Sequence, residues 1–179
     1  MTVLITIAHD HSWTFAMTLS NLLGNVCNTD TISGMPSAVP VEIASQASEE
    51  LVAACHHMIP QLSSSAQPIT VSELAEIINS DSTVMFVARI DNKIVGLLTL
   101  AIFRIPTAVR AWIEDVVVDS SARGHGVGEA LNHAAIAEAK RRGAKTVDLT
   151  SRPSRQAANK LYKRLGFVER DTNVYRFDT

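Results

Sequence analysis

The pattern of hydrophobic and polar positions predicts that helices and strands alternate along the chain after residue 40. Apolar residues at helical spacing follow Ser48, which can cap the first turn of a helix. Thr70 and Glu73 have the spacing of a capping box, in which each side chain bonds to the backbone of the other residue. Gly143 follows three basic residues and can end a longer helix. The predicted helices cover residues 49–62, about 70–79, 126–142 and about 154–165.

Short apolar runs between these helical segments predict the strands. They cover residues 41–45, 84–90, 94–103, 111–118 and 146–150, with closing strands from Val168 onward that include residues 174–177. Asp91, Asn92 and Lys93 separate two of the runs and predict a hairpin turn. Because residues 113–118 are mostly apolar, we expect that strand to be buried on both faces. The order of elements predicts an α/β domain.

The first 40 residues differ from the rest of the chain. They show only weak periodicity, contain several turn-forming residues and end in a segment bounded by Pro36 and Pro40. They carry no motif that suggests a chemical role. We therefore expect residues 1–40 to be a poorly ordered N-terminal extension, and residues 41–179 to be the functional domain.

A glycine-rich tract joins the predicted strand at residues 113–118 to the predicted helix at residues 126–142. It reads Arg123-Gly124-His125-Gly126-Val127-Gly128. Glycines at alternate positions allow backbone N–H groups to turn inward, and the start of the following helix favours an anion. The spacing matches neither an ATP-binding G-x-x-x-x-G-K-[ST] loop nor the G-x-G-x-x-G dinucleotide loop. The tract therefore predicts a site for the pyrophosphate of another nucleotide-like ligand.

Composition limits the classes of protein that fit. A chain of 179 residues with 46% apolar content has the size and core of one globular domain. No apolar run approaches the ~18 residues that cross a bilayer, so we expect no membrane span. The apolar start lacks a basic leading segment and soon reaches His9, Asp10 and His11, which argues against a secretory signal and favours a cytoplasmic location.

Metal and nucleic-acid binding are not expected. Cys27 and Cys55 lack the spacing of metal ligands and are interpreted as small apolar residues or free thiols. The pairs His9 with His11 and His56 with His57 have no third ligand pattern. The basic residues lack interleaved aromatic side chains, which makes a nucleic-acid interface unexpected.

Charge is distributed unevenly along the chain. Residues 1–88 contain eight acids and no Lys or Arg, whereas residues 89–179 contain all sixteen bases and ten acids, so the halves carry −8 and +6. A basic half suits a polyanionic ligand, and an acidic half suits a cationic one. The alternative is that both halves present solvated faces without a preferred ligand.

Two sequence blocks resemble the GCN5-related N-acetyltransferase (GNAT) superfamily. The tract from Arg123 has the Arg-x-x-Gly-x-Gly form of the family's acetyl-CoA pyrophosphate loop, and residues 157–167 are similar to its A-x-x-L-Y-x-x-x-G-F helix pattern. The resemblance spans about residues 41–179 and is strongest over 112–168. It implies the α/β GNAT fold, a mixed central sheet flanked by helices, with acetyl-CoA as co-substrate and no metal.

The resemblance also implies which residues contact the cofactor. They are Val116, Val117, Val118, Arg123, Gly124, His125, Gly126, Val127, Gly128 and Asn159. One position departs from the family pattern, because Arg155 stands where many relatives have an Asn. Arg155 either meets a CoA phosphate or packs in the turn at residues 151–153.

The resemblance assigns two catalytic residues. Glu114, near the end of the strand, would help to deprotonate the amine; the alternative is a solvated carboxylate or one paired with Arg110. Its neighbour Asp115 should point to the opposite face unless a bulge redirects it. Tyr162 matches the tyrosine that protonates the CoA thiolate, or else it packs on the sheet. Backbone N–H groups of residues 116–118 would support the thioester oxygen.

These observations predict a function. We expect an N-acetyltransferase that moves acetyl from acetyl-CoA to a primary amine of a small cationic molecule by direct attack. The alternatives are a protein N-terminal or lysine acetyltransferase, with a peptide amine as acceptor, and an acyl-CoA-binding sensor without turnover. The family resemblance also makes a homodimer a reasonable expectation.

Overall fold

A computed structural model describes residues 39–178. Of the predicted extension at residues 1–40, only Val39 and Pro40 are among the described residues. Cys27 and the histidines at positions 9 and 11 lie outside them. Val39 packs against a hydrophobic core of the domain. The carbonyl of Pro40 accepts a hydrogen bond from the Arg89 backbone at 3.0 Å. Val39 and Pro40, just before the predicted boundary, therefore contact the domain.

Within residues 39–178, four α-helices form close to the predicted positions. They are α1 (Glu49–Leu62), α2 (Val71–Asn79), α3 (Val127–Arg141) and α4 (Gln156–Arg164). The Ser48 hydroxyl accepts from the Leu51 backbone at 3.2 Å, so it caps α1 as expected. The capping box of α2 is also confirmed, because Thr70 and Glu73 bond to each other's backbone. No helix within residues 39–178 has the length and apolar character needed to cross a membrane.

In the described part of the chain, five strands form one mixed sheet in chain order. They are β1 (Val41–Ile43), β2 (Thr83–Ile90), β3 (Lys93–Ile105), β4 (Ala108–Val118) and β5 (Thr146–Leu149). β1 to β4 pair antiparallel, and β5 pairs parallel with β4. Asp91 and Asn92 form the predicted hairpin turn with φ of 49° and 61°. Both central residues of such a tight turn need positive φ, which Asp and Asn tolerate well.

The sheet separates two hydrophobic cores. One core lies between the sheet and α3 and contains Phe86, Leu98 and Leu131. The other lies beneath α1 and α2 and contains Leu74, Leu97 and further residues of these elements. Strands with apolar residues on both faces therefore lie between two helical layers, as the continuous apolar run near the end of β4 predicted.

Gly96 in β3 allows α3 to lie close to the sheet. A Cβ at this position would be 2.6 Å from the Val127 side chain and 3.0 Å from that of Leu131. Both neighbours are buried in the core at the start of α3. Because Gly96 has no side chain, the N-terminal part of α3 can pack directly on the sheet. This part of α3 follows the glycine-rich tract.

The prediction of closing strands after Val168 is wrong. Within the described residues, no strand follows α4, and the side chains of Val168, Val174, Tyr175 and Phe177 are exposed. Charged and polar residues at positions 169–173 interrupt the apolar alternation that a strand requires. The sheet therefore ends at β5 in the described part of the chain.

We predict that Gly96→Ala destabilises the domain by about 1–3 kcal/mol, the usual cost of an extra methyl group in a packed core. The measurement is urea unfolding followed by circular dichroism. The double variant Gly96→Ala with Val127→Ala should lose less stability than the two single variants together, because the second change removes the crowded methyl groups. Additive losses would show that crowding against Val127 is not the cause.

Candidate active site

A β-bulge lies in β4 at Asp115. Glu114 is paired with Thr99 and Val117 with Leu97, so β4 has one more residue than β3 in this interval. Asp115 has a φ of 48°, in the left-handed region that Asp adopts more readily than most residues. The bulge reverses the expected alternation, and Asp115 does not point to the opposite face of the sheet.

Asp115 lines a cavity of about 670 Å³ on the α1 and α2 side of the sheet. The cavity is bounded by α1, the loop before α2, α2 itself, and strands β2 and β3. Its volume lies in the range of small-molecule sites. Thr99 also lines the cavity, and its cross-strand partner Glu114 shares that face of the sheet. Both carboxylates therefore lie on the cavity side.

The cavity carries negative charge. Its acidic residues are Glu73, Glu76 and Asp115, and none of the lining residues within 39–178 is Lys or Arg. Hydrogen bonds from the backbone and side chain of Thr70 lower the pKa of Glu73. The alternative that Glu114 pairs with Arg110 is not observed, because Arg110 instead lies 3.8 Å from Asp148. Sequence reasoning named Glu114 but missed that Asp115 reaches the cavity.

Cys55 also lines the cavity but is unsuited to act as a nucleophile. Its side chain is buried in the core beneath α1 and α2. Burial raises the pKa of the Cys55 thiol to about 11. Because the thiolate is the nucleophilic form, this thiol is inert near neutral pH. The Cys55 thiol is therefore not a candidate for carrying a covalent acyl group.

A cleft opens between β4 and β5. The parallel ladder ends at the pair Ile113 and Leu149, whereas β4 continues to Val118. Asp119 donates its backbone N–H to Val95 at 2.9 Å, on the β3 side. Successive N–H groups alternate in direction along a strand, so the N–H groups of Val118 and Val116 are directed away from β3, into the cleft.

These two backbone donors are suited to a linear ligand that contains amides. Val117 alternates with them and is paired with Leu97 across the ladder, with a buried side chain. Within the described residues no strand pairs with this edge of β4 beyond Ile113, so the N–H groups at the predicted cofactor contacts Val116 and Val118 have no ladder partner there, while Val117 contributes to the core. An unpaired N–H at a strand edge must find a partner in solvent or ligand.

The glycine-rich tract lies at the end of this cleft and has the geometry of an anion-binding loop. Gly124 and Gly126 have φ of 83° and 78°, which favours glycine. A Cβ at either position would meet no atom within 4 Å, so the loop is open on that side. Gly126 is also the N-cap residue of α3, where backbone N–H groups have no helical partner. His125 and Arg123 are exposed beside them.

Gly128 joins the loop to α4. A Cβ there would lie 3.2 Å from the Leu161 side chain and 3.7 Å from that of Val118. The lack of a side chain therefore lets β4, α3 and α4 meet at one point. Tyr162 is the next residue of α4.

Tyr162 is half-buried and packs edge-to-face on Phe167, with ring centroids 5.9 Å apart. Burial raises the pKa of the Tyr162 hydroxyl, and the nearby Arg155 charge opposes that rise. The hydroxyl therefore stays protonated near neutral pH and can donate a proton. No group within residues 39–178 accepts a hydrogen bond from it, so it is available to a ligand.

Asp119 links α1 to residues 120–121, which precede the glycine-rich loop. Its Oδ1 accepts from the Ser121 hydroxyl at 2.5 Å and the Ser121 backbone at 2.8 Å, and its Oδ2 accepts from His57 of α1 at 2.5 Å. Gln61 of α1 accepts from the Ser120 backbone at 3.1 Å. These bonds, those from Ser121 first, hold the pKa of Asp119 well below its usual range. Sequence reasoning missed this cluster because its members are about sixty residues apart.

Asn159 and Arg155 form hydrogen bonds to backbone carbonyls of the protein. The Asn159 amide donates to the Arg152 carbonyl at 3.0 Å and closes the turn before α4. The Arg155 side chain donates to the Leu62 carbonyl at 2.9 Å, and its backbone N–H donates to the Arg152 carbonyl at 3.0 Å, so Arg155 links the end of α1 to the turn at residues 151–153. Among residues 39–178, no cluster of metal-ligating side chains is present.

Comparison with known proteins places these features in a family. An uncharacterized N-acetyltransferase of Methanocaldococcus jannaschii is 36% identical over 94 residues, which cover 51% of this chain and 42% of that protein. The chain thus matches less than half the length of this curated relative.

Solved structures share the fold. An acetyltransferase of Trypanosoma brucei superposes with a TM-score of 0.64 at 28% identity, covering 79% of this chain and 99% of that one. AAC(6')-Iy, solved in complex with the bisubstrate analogue CoA-S-monomethyl-acetylneamine, superposes with a TM-score of 0.65 at 18% identity, covering 80% of this chain and 99% of that one.

The model of the acetyltransferase (GNAT) family matches residues 51–167, which contain the acidic cavity, the bulged strand, the cleft and the glycine-rich loop. The chain belongs to the GNAT family of acetyltransferases.

Proposed function

We propose that this protein transfers acetyl from acetyl-CoA to the primary amine of a small cationic acceptor by direct attack. The observation that carries the proposal is the bulge in β4. On one side of β4 lies the acidic cavity with Asp115, and along its edge lies the cleft with free N–H groups at Val116 and Val118. An acceptor amine and a thioester would meet at this strand.

The acceptor amine must lose a proton before it attacks. An alkylammonium with a pKa near ~10.4 is about 3.4 units above neutrality, which amounts to roughly 4–5 kcal/mol at pH 7. Glu114 and Asp115 supply carboxylates on the cavity face of β4. In the proposed mechanism Glu114 accepts the proton, directly or through water, while Asp115 holds the ammonium form during binding.

The chain also offers groups for the acetyl donor. The open glycine-rich loop and the α3 N-terminus fit a pyrophosphate, and Arg123 adds a positive charge beside it. As the amine nitrogen bonds to the carbonyl carbon, negative charge develops on the thioester oxygen, which an N–H group of Val116 or Val118 can stabilise. The carbon–sulfur bond then breaks, and the Tyr162 hydroxyl protonates the departing thiolate. The nitrogen loses its second proton as the amide forms, and a proton from solvent restores the Tyr162 hydroxyl.

A cationic small molecule fits the cavity better than the other acceptors. The cavity has the volume of a small-molecule site and three acidic residues. AAC(6')-Iy, a structural neighbour, was solved with the bisubstrate analogue CoA-S-monomethyl-acetylneamine, which supports small amines as a class. The carboxylates of Glu114 and Asp115 and the protonated Tyr162 hydroxyl favour turnover over the alternative of a non-catalytic acyl-CoA sensor.

The pyrophosphate role of the loop predicts that Gly126→Val raises the dissociation constant of acetyl-CoA at least tenfold, or about 1.4 kcal/mol. A β-branched residue cannot adopt the φ of 78° without strain, so the loop and the α3 N-terminus must shift. Isothermal titration calorimetry measures the affinity.

Gly143→Val is the matched control for that experiment. Gly143 has a φ of 76°, also meets no atom within 4 Å, and lies at the opposite end of α3. Both variants should lose similar stability, but only Gly126→Val should lose affinity. Equal affinity in the two folded variants contradicts the proposed loop role.

The proton-donor role predicts that Tyr162→Phe keeps cofactor affinity while turnover falls by ~10²-fold or more. Release of CoA thiol measures turnover. The control is Tyr175→Phe, because Tyr175 is the only other tyrosine of the chain and is 88% exposed in the tail after α4. Wild-type turnover in Tyr162→Phe would leave this residue a packing role alone.

Substitutions of Asp115 and Glu114 should affect different kinetic constants. Asp115→Asn should raise the Michaelis constant of a cationic amine about fivefold, because one charge interaction at 4 Å is worth ~1 kcal/mol in water. Glu114→Gln should lower kcat by ~10²-fold with little change in the Michaelis constant.

Added salt should raise the Michaelis constant of the unaltered protein for a cationic amine, since charges are screened within ~8 Å at physiological ionic strength. A preference for anionic acceptors would refute the cationic assignment.

A further inference from the structure

We infer that the acceptor is a primary amine on a hydrocarbon body, such as an alkylamine or an arylalkylamine, rather than a hydroxylated or polycationic amine. The inference rests on the proposed function and names the substrate class of the same cavity. It comes from the wall of the cavity, where apolar side chains predominate and the acids occupy only a few positions.

The inner part of the wall belongs to the hydrophobic core. Leu74, Met85 and Leu97 all line the cavity and are at most 6% exposed. Ile59 and Ile77 extend the apolar surface outward from α1 and α2. A ligand that reaches this surface removes apolar area from water, which is favourable by about 0.8 kcal/mol for each buried CH₂ group.

Half of the eight polar side chains of the wall already have partners within the protein. His56 is bonded to the Ile69 carbonyl at 2.7 Å, and the Thr83 hydroxyl donates to the Ile77 carbonyl at 2.6 Å. Glu73 accepts two bonds from Thr70. A sugar or polyol placed here would lose hydrogen bonds to water and gain few in return, which is costly for each buried hydroxyl.

The charge of Asp115 would fix one end of the ligand. Asp115 lies where the cavity meets β4, the strand at which the acetyl group is proposed to arrive. An ammonium group beside Asp115 would put the reacting nitrogen next to the thioester and leave the hydrocarbon body against Leu97 and Met85. Glu73 and Glu76, the other two acids of the wall, are exposed residues of α2, whereas a second ammonium group beside Leu97 and Met85 would lie against buried apolar side chains.

A homologous series of amines tests this geometry with the full chain and acetyl-CoA. The probes are the linear monoamines from propylamine to heptylamine, which differ in length but hardly in basicity. We expect kcat/KM from thiol release to rise about fourfold per methylene, which corresponds to the 0.8 kcal/mol for burying one CH₂ group. Heptylamine should also exceed heptane-1,7-diamine by about tenfold or more, because the diamine buries a second charge. A flat or falling series overturns the inference.

Ile77→Thr provides a second test that does not depend on the probes alone. Ile77 lines the cavity and is not part of either hydrophobic core, so the variant should fold. It should reduce the gain per methylene, so that kcat/KM falls more for heptylamine than for propylamine. The matched control is Ile78→Thr, because Ile78 packs on the core beneath α1 and α2 and does not line the cavity. The control should lose stability but keep the full dependence on length. A wild-type length dependence in Ile77→Thr overturns the inference.

The same assay separates the inference from the function on which it rests. Thiol release with an aminoglycoside or a polyamine, at higher kcat/KM than with heptylamine, would refute the hydrocarbon-bodied acceptor and leave the acetyltransferase proposal intact. No thiol release with any amine, from protein that binds acetyl-CoA, would refute the proposed function itself.

Discussion

One extra residue in β4 determines where both halves of the site lie. The bulge turns Asp115 toward the cavity while Val116 to Val118 resume a regular strand. A bulge also increases local twist, which is consistent with β5 leaving the ladder at Leu149, before β4 ends. The unpaired edge of β4 and the redirected carboxylate are thus produced by the same local irregularity, and an in-register strand would provide neither.

The bulge is useful only if its surroundings are rigid, and three close packing points provide that rigidity. Gly96 lets α3 approach the sheet, and Gly128 lets α4 approach α3 and β4. Asp119, directly after β4, binds His57 of α1 and Ser121 of the loop root. Since α1 forms one wall of the cavity and the loop follows Asp119, these bonds tie the acceptor side to the cofactor side. A shift in one half of the site must therefore affect the other.

Features that depend on neighbouring residues in the chain could be predicted from the sequence. The caps at Ser48 and Thr70, the hairpin at Asp91 and Asn92, and the positive φ angles of Gly124 and Gly126 are all local, because a few adjacent residues satisfy the backbone. The orientation of Asp115 could not be predicted, because it depends on the register between β3 and β4. The partners of Asp119 and Arg155 come from α1, far away in the chain, so no local pattern reveals them.

The uneven charge of the sequence has a structural counterpart in the site. The cavity is lined by residues between positions 55 and 115, from the part of the chain that supplies Glu73, Glu76 and Asp115, whereas the loop with Arg123 comes after it. All sixteen bases lie after residue 88, and none of them lines the cavity. A polyanionic donor and a cationic acceptor would therefore be attracted to different sides of β4. Because each would be disfavoured on the other's side, the charge pattern would limit competition between the two substrates as well as attract them.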